Sequence, residues 1–407
     1  MVISTGHADQ PYEPQPYEPE SFAVTKTSSA PDTRPTTRPE IWVVSDGTAG
    51  MRLQSLALAE AMGWTTPSPD EVAATHVASG FRDIIVTPRQ PLRSVPRLGH
   101  LAILAPFLPI STPALPYADS RFPDLLVTCG RRMAGLSIAM RHRARIAGQP
   151  MKTIHIQDPR LDPACFDILL VPAHDPVRGD NVIVSTGSLN RLTPETIADA
   201  ARTLAPKWKN AAFPRVVVML GGDNRRYKIS PAMANRMVAK LDAFARQTKA
   251  SLAIVPSRRT PPDLIRQLTE TLALNDAHTR HRLATPQDAN PYPGILGIAD
   301  AIIVTSDSVN MTSEATITGT PVMVADWHSD APNATTSSNT TSPATSSNAT
   351  STAHRQIETG RLAAFHDAMM QGGHTVPLGD VIPDHDFIPL DDMPAICAQL
   401  TNMLARG

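Results

Sequence analysis

The sequence predicts an α/β protein with two domains, each a parallel β-sheet covered by helices, whose sheets face a shared cleft. Short apolar runs alternate with helical patterns along most of the chain, and this alternation starts again near residue 213. The chain of 407 residues also exceeds the usual size of one domain, about 100–200 residues. We therefore expect two Rossmann-like domains.

The first domain is expected to contain five strands, because short and mainly apolar runs are typical of strands buried on both faces. A helix is predicted over residues 51–62, where Leu53 and Leu56 share one face and Gly63 ends the pattern. A basic helix follows over residues 132–147. The predicted strands cover residues 41–44, 125–128, 153–156, 168–171 and 182–185.

The second domain repeats this alternation. Residues 300–324 have the pattern of a strand, a polar turn, a helix that ends at Gly319, and a further strand after Pro321. Ligands of open α/β sheets bind outside the carboxyl ends of strands, so this polar turn is a candidate binding site. The other predicted elements are strands at residues 216–220 and 252–255 and helices at residues 231–246 and 262–272.

Composition sets the domain boundaries. The N-terminal segment is rich in Pro, Thr, Ser and Glu and is expected to be a disordered tail, and a run of Ala, Ser, Thr, Asn and Pro is expected to be a flexible insertion. The last residues are expected to form a helix that packs against the first domain. The predicted division is a tail at 1–39, a first domain at 40–190, a linker at 191–214, a second domain at 215–390 with its insertion at 331–353, and a C-terminal helix at 391–407.

Charge and residue usage exclude several classes of protein. The net charge of −1 and the aromatic content of 4% argue against a nucleic-acid partner. Three widely spaced cysteines fit a reducing compartment rather than a disulfide framework, and no metal-ligand spacing is present. We expect no signal sequence, no membrane-spanning helix and no cofactor, and therefore a cytoplasmic protein.

Glycine turns follow the first strand of each predicted domain. Gly47 and Gly50 belong to the first turn, and Gly221 and Gly222 to the second. Glycine lets a backbone approach a phosphate closely, so both turns are candidate phosphate sites. Neither matches a full dinucleotide or P-loop fingerprint, and a tight strand-to-helix turn is the structural alternative.

Further polar groups follow strands of the second domain. A turn with paired arginines suits a diphosphate, although a surface loop is the alternative. Glu314 on the helix after the 301–304 strand could reach a ribose diol, and Tyr292 could contact a base or sugar or, alternatively, anchor a loop. The predicted donor-binding residues are Gly221, Gly222, Asn224, Arg225, Ser257, Arg258, Arg259, Tyr292, Thr305, Ser308, Thr312 and Glu314.

Polar side chains at strand ends of the first domain are expected to converge on the cleft. Asp46, Asp158 and the pair His174 and Asp175 are the candidate bases for an acceptor hydroxyl group, and the sequence does not choose between them. His155 is expected to be packed in the sheet. We predict that Asp46 and Asp158 are catalytic and that the acceptor-binding residues are Gly47, Gly50, Gly130, Arg131 and Gln157.

An arginine-containing segment adjoins a short apolar stretch that ends at Ile110. Arg89, Arg93 and Arg97 precede this stretch, an arrangement that suits an anionic membrane surface. A core segment interrupted by prolines, with solvated arginines, is the alternative. The membrane interpretation predicts peripheral association with the inner membrane.

A further observation is a set of motifs along the chain: Trp42-Val-Val-Ser-Asp-Gly47, Thr128-Cys-Gly-Arg-Arg132, His155-Ile-Gln-Asp-Pro-Arg160, Leu220-Gly-Gly222 with Arg225-Arg-Tyr227, Pro256-Ser-Arg-Arg-Thr260, Asn290-Pro-Tyr-Pro293 and Thr305-Ser-Asp-Ser308 with Ser313-Glu314. Together they resemble the mitochondrial-fission (elongate-mitochondria) family, over residues 40–325 and again near residues 358–368. The resemblance implies a GT-B fold and, for a bacterial-type member, a glycosyltransferase.

The resemblance implies a nucleotide-sugar as substrate and a lipid or saccharide acceptor of the cell envelope. Glu314 lies where a helix glutamate of a related glycosyltransferase holds the nucleotide ribose. At the position after Gly50, where the resemblance leads us to expect a histidine, the chain has Met51. Two alternatives stay open: a non-catalytic membrane-surface adaptor, and a nucleotide-sugar epimerase.

Overall fold

Two six-stranded parallel sheets make up the fold, which confirms the predicted α/β class with two Rossmann-like halves. Both sheets lie in one compact unit, Arg38–Gly407. The computed structural model describes residues 39–64, 80–86, 122–149, 151–208, 213–223, 228–274, 281–284, 292–327 and 360–406. The predicted tail up to residue 38, the 331–353 insertion and the 89–110 segment lie outside these residues.

The first sheet has the order β2-β1-β3-β4-β5-β6. Its buried strands are continuous apolar runs because helices cover both faces. Among the described residues, α1 (Ala49–Ala61) and α2 (Arg131–Ile146) pack on it, as does the C-terminal helix described below. The strands are β1 (Ile41–Ser45), β2 (Phe81–Ile85), β3 (Leu125–Cys129), β4 (Lys152–Ile156), β5 (Ile168–Pro172) and β6 (Val182–Ser185).

The segment predicted as a linker contains a helix, α3 (Pro194–Trp208), which corrects the prediction. The second sheet follows in the order β12-β11-β10-β7-β8-β9. Its strands are β7 (Arg215–Leu220), β8 (Ser251–Pro256), β9 (Arg282–Leu283), β10 (Ala301–Thr305), β11 (Val322–Ala325) and β12 (Val376–Pro377). The remaining helices of this half are α4 (Pro231–Thr248), α5 (Pro262–Leu272), α6 (Tyr292–Gly297), α7 (Val309–Thr316) and α8 (Arg361–Gln371).

Helix α3 belongs to the second half by its packing. A Cβ atom on Gly294 of α6 would lie 2.7 Å from the carbonyl oxygen of Ala200, so the backbones of α3 and α6 are nearly in contact. Leu204 of α3 is buried in the cluster that covers this face of the second sheet. The chain therefore reaches the second half before β7 begins.

The C-terminal helix α9 (Met393–Ala405) returns to the first sheet. Ile396 and Leu400 are buried in the core of that sheet, and Lys152 donates to the carbonyl oxygen of Leu404 at 2.7 Å. No helix in the described part of the chain is both long and apolar enough to span a membrane.

The strand order of each sheet reverses at one point, between β1 and β3 in the first sheet and between β7 and β10 in the second. At such a point, helices leave neighbouring strands towards opposite faces, which opens a crevice at the carboxyl ends of the strands. The glycine turns after β1 and β7 lie at these two crevices.

Candidate functional site

A cleft of about 370 Å³ lies between the carboxyl ends of strands from the two sheets. Its lining is polar and comes from both halves of the chain. The first half contributes Gln54, Gln157, His174, Asp175, Ser185 and Ser188, and the second contributes Asp307, Asn310 and Arg361. The cleft volume falls within the usual range for small-molecule sites, about 300–1,000 Å³.

Arg361, the first residue of α8, joins the two sides of this cleft. Its guanidinium pairs with Asp158 after β4 and lies 2.6 Å from the carboxylate of Asp175 after β5. Both carboxylates are almost fully buried, with side-chain exposures of 2% and 5%. Asp158 also accepts from the backbone N–H of Arg160 at 2.7 Å. The guanidinium of Arg361 thus holds two buried carboxylates of the first half at once.

Asp46, the other predicted catalytic residue, lies after β1 and is paired within the first half. Arg132 donates to it at 3.1 Å, and the Thr48 backbone N–H donates at 3.0 Å. Burial alone would raise the pKa of Asp46, but the hydrogen bonds from Thr48 and Arg132 outweigh it, so this pKa lies below its ordinary value. Asp46 is not among the residues that line the cleft.

The predicted acceptor residues surround the same strand ends. Gly50 at the start of α1 faces α7, since a Cβ atom there would lie 3.0 Å from the Asn310 amide nitrogen. Gly47 has a φ of +75° in the turn after β1. Gln157 lines the cleft and donates to Gln54 at 3.4 Å. Its backbone adopts the left-handed conformation, with a φ of +74°. Such backbone strain is common at functional sites.

Gly130 and Arg131 begin helix α2. Gly130 has a φ of +81°, and a Cβ atom there would lie 2.9 Å from the Met51 sulfur. Met51, which stands where a histidine was expected, therefore fills space between α1 and α2. Burial lowers the pKa of Arg131, and the nearby Arg160 and Arg361 lower it further.

In the second half, the amides of the glycine turn already have partners within the chain. The N–H of Gly221 donates to Thr305 at 2.8 Å, and that of Gly222 donates to Asp307 at 2.9 Å. Asp307 also accepts from Thr305 at 2.7 Å and from the Trp327 indole at 2.9 Å, and its side chain is fully buried. We predicted that these glycines let a phosphate approach the backbone closely. In the structure, the Asp307 carboxylate occupies the space beside them.

The turn after β8 packs against this glycine turn. A Cβ atom on Gly222 would lie 2.0 Å from the carbonyl oxygen of Arg259, and the Arg259 guanidinium is 3.6 Å from Asp307. Ser257 bonds to Thr260 inside the turn at 3.1 Å, and Arg258 is exposed. Asn224 and Arg225 lie outside the described residues.

Helix α7 carries the remaining predicted donor residues. Ser308 caps it by accepting from the Met311 N–H, and Thr312 is fully buried and bonds back to the Ser308 carbonyl oxygen at 3.0 Å. Glu314 accepts a short hydrogen bond from the Tyr292 hydroxyl group. Burial raises the pKa of Glu314, and the bond from Tyr292 offsets part of this rise. The structure thus brings Tyr292 and Glu314 together.

His155 confirms the prediction of a packed histidine. Its ring is fully buried, bonds to the Thr128 hydroxyl group at 2.8 Å and stacks on Phe166 with a centroid distance of 4.8 Å. Burial lowers the pKa of His155 to about 3. The described residues contain no group of three or more His, Cys, Asp or Glu side chains that could hold a metal ion.

His174 lines the cleft beside Asp175. Its Nδ1 atom is buried without a hydrogen-bond partner among the described residues, and its ring meets Phe365 edge-on at a centroid distance of 5.5 Å. Burial lowers the pKa of His174; nearby Asp175 opposes this shift, whereas Arg361 and His366 add to it.

Two parallel sheets whose strand ends meet at a polar cleft define a GT-B-like protein. The family described as mitochondrial fission ELM1 matches residues 49–404, and the chain therefore belongs to this family.

Two curated relatives are similar over part of the chain. The mitochondrial fission protein ELM1 of Arabidopsis thaliana is 27% identical over 226 residues, which are 50% of this chain and 51% of that protein. The uncharacterized protein RP120 of Rickettsia prowazekii is 25% identical over 240 residues, which are 51% of this chain and 65% of that protein. The aligned part thus spans less than two thirds of either relative.

Among solved structures, the UDP-GlcNAc 2-epimerase of Methanocaldococcus jannaschii is similar in fold. Its TM-score is 0.50 at 11% sequence identity, and the match covers 90% of this chain and all of that chain. This likeness supports the GT-B-like arrangement of the two halves.

Among the polar residues that line the cleft, sequence reasoning missed Gln54, Ser185, Asn310 and Arg361. Arg361 lies inside the 358–368 segment that carried the family resemblance, so that segment was the available signal. Gln54 and Asn310 sit on helices α1 and α7 with no distinguishing local pattern.

Proposed function

We propose that this protein is a glycosyltransferase that uses a nucleotide-sugar donor. The observation that carries the proposal is the cleft itself, because polar side chains from strand ends of both sheets line it together. An adaptor that acts through its outer surface has no need of such a lining. The acceptor that we propose is a lipid or oligosaccharide of the cell envelope, reached from the inner face of the membrane.

The donor side is proposed to lie along helix α7. Asn310 lines the cleft, and Glu314 follows four residues later, which places it on the same face of the helix. A carboxylate on that face can accept both hydroxyl hydrogens of a ribose. In the present structure the Tyr292 hydroxyl group bonds to Glu314, so a ribose would replace or share that bond.

Two observations favour second candidates. The name of the Arabidopsis relative supports an adaptor role in mitochondrial fission, and the fold of the epimerase supports a reaction without an acceptor. A requirement for an acceptor distinguishes the glycosyltransferase from the epimerase, since only a transferase needs a second substrate for turnover.

The test is thermal unfolding with a panel of UDP-, GDP-, CDP- and dTDP-sugars and the free nucleotides. A ligand present at about 100 times its dissociation constant stabilises a protein by roughly 2.7 kcal/mol. We expect one base class to raise the melting temperature of the wild type but not that of Glu314→Ala. Glu270→Ala, which removes an exposed glutamate from helix α5, is the matched control and should respond like the wild type.

If no base class stabilises the wild type, the transferase and epimerase proposals both lose their support and the adaptor proposal moves ahead. If Glu314→Ala responds as strongly as the wild type, the donor does not contact Glu314.

A further inference from the structure

The carboxylates near the cleft are already engaged. Asp46 is bonded to Arg132 and Thr48, and Asp158 and Asp175 share the guanidinium of Arg361. Taking up the proton of the acceptor on one of these carboxylates would break the ion pair that it makes with arginine. A proton acceptor for the reaction therefore has to be sought elsewhere on the cleft wall.

The first glycine turn does not supply this acceptor. Met51 follows Gly50, and its sulfur packs towards Gly130 and 3.6 Å from the Cys129 sulfur. A thioether has no role as a base, so the start of α1 contributes shape but no proton acceptor.

His174 meets the requirement by position and by chemistry. It lines the cleft, and its buried Nδ1 atom has no hydrogen-bond partner in the described part of the chain. A buried polar atom without a partner calls for an explanation, of which a catalytic role is one. His155 and His366 also have such a ring nitrogen, but neither lines the cleft, so the position of His174 on the cleft wall carries the argument.

The surroundings of His174 hold the ring in place and keep it neutral. Phe365 of α8 contacts its edge, and the charged or titratable groups that face it are Asp175, Arg361 and His366. His366 is itself fixed by donating from Nε2 to the Ser306 carbonyl oxygen at 2.7 Å. Burial holds the pKa of His174 below its ordinary value, so the imidazole is in its basic form at neutral pH.

We infer that His174 is the proton acceptor for the incoming hydroxyl group in the cleft. This inference rests on the proposed function. The acceptor oxygen forms a bond to the anomeric carbon of the sugar while its proton passes to the imidazole. The bond between that carbon and the diphosphate oxygen breaks, and the nucleoside diphosphate leaves with the electron pair. Asp175 and Arg361 act as positioning residues.

The experiment measures hydrolysis of the donor that stabilises the wild type, with water as acceptor, for the wild type, His174→Gln and His174→Asn. His385→Gln, which changes an exposed histidine, is the matched control. We expect both His174 variants to lose about 10²- to 10⁴-fold in turnover, the usual contribution of a general base. Their donor dissociation constants should stay within about threefold of the wild type, because the ground-state complex is unchanged.

A second readout does not depend on turnover. Diethyl pyrocarbonate modifies neutral imidazole, and mass spectrometry reports the modified fraction of each histidine. We expect bound donor to protect His174 and to leave His385 unprotected.

The outcomes separate the two proposals. If the wild type binds and hydrolyses a donor and His174→Gln keeps its turnover, the role of His174 is overturned but the proposed function is not. The same conclusion follows if the wild type binds a donor without hydrolysing it and the donor does not protect His174. A wild type that binds no donor overturns the proposed function, and the role of His174 falls with it.

Discussion

The two sheets of this protein use charge differently at the same structural position. At the carboxyl edge of the first sheet, Asp158 and Asp175 form ion pairs with Arg361, which belongs to the second half. At the edge of the second sheet, Asp307 is bonded within its own turns, to Gly222, Thr305 and Trp327. The first edge therefore depends on how the halves meet, whereas the second edge is complete in itself.

This difference assigns separate tasks to the two edges. Because the hydrogen bonds of Asp307 all lie within the second half, we expect the second edge to hold its position at the start of helix α7. The first edge can change its charge balance if the halves move, because Arg361 would then leave two buried carboxylates behind. We therefore expect the first edge to respond to closure of the cleft and the second edge to stay fixed.

The largest effect is expected from breaking the second edge. In Gly222→Ala the new Cβ atom would lie 2.0 Å from the Arg259 carbonyl oxygen, so two backbone turns must separate. We expect a loss of about 3 kcal/mol in the free energy of unfolding, at the upper end for an overpacked site. Gly379→Ala is the control, because a Cβ atom at Gly379 meets nothing within 4 Å. Urea unfolding of both variants checks this, and equal stabilities would show that the turn is not closely packed.

A smaller effect is expected from breaking the first edge. Arg361→Gln leaves Asp158 and Asp175 buried without their guanidinium. Loss of one partner from a buried ion pair costs about 3–5 kcal/mol, and partial exposure of Arg361 reduces the expected cost to about 2 kcal/mol.

The same variant should also loosen the cleft, so small-angle scattering should give a larger radius of gyration. Arg132→Gln, which breaks a pair inside the first half, should lower stability without changing the radius. An unchanged radius in Arg361→Gln would mean that this arginine does not hold the halves together.

The smallest effect concerns pH, where the two edges differ in sign. The pKa of His155 is about 3 in the folded protein and about 6.5 when unfolded, so the unfolded chain binds more protons between these values. Stability should fall as pH drops below about 6.5, by up to about 1.4 kcal/mol per pH unit from His155. Burial raises the pKa of Glu314 in the folded protein. Its contribution to the free energy of unfolding is therefore present at low pH and is lost as pH rises through the folded-state pKa.

Urea unfolding between pH 7 and pH 5 checks these signs. His155→Gln should show a shallower loss of stability towards acid pH, and Glu314→Gln should gain stability at neutral pH relative to the wild type. A His155→Gln variant that loses stability towards acid pH as steeply as the wild type would contradict the burial of a neutral His155.

Much of the fold was predictable because buried parallel strands are continuous apolar runs. The helix at Pro262–Leu272 and the strand at Val182–Ser185 were predicted with their observed bounds. Strand β2 was missed because Arg82 and Asp83 interrupt its apolar pattern at the sheet edge. Helix α3 was missed because its segment was assigned to a linker, although Leu204 is buried.

The site was less predictable because its key contacts join distant parts of the chain. Arg361 and Asp158 are 203 positions apart, and neither has a local pattern that predicts the other as its partner. The hydrogen bond that the Gly222 N–H donates to Asp307 could not be inferred either, since a glycine pair after a strand is equally consistent with a phosphate site. Tyr292 and Glu314 were both named, but their contact depends on the packing of α6 and α7.

The most direct test of the central claim, that one ligand is held between both edges, is hydrogen exchange with and without the stabilising nucleotide-sugar. We predict slower exchange at two places together: the turns after β4 and β5 in the first half, and the start of α7 in the second. Protection confined to one half, or absent from both, would contradict a site shared by the two sheets.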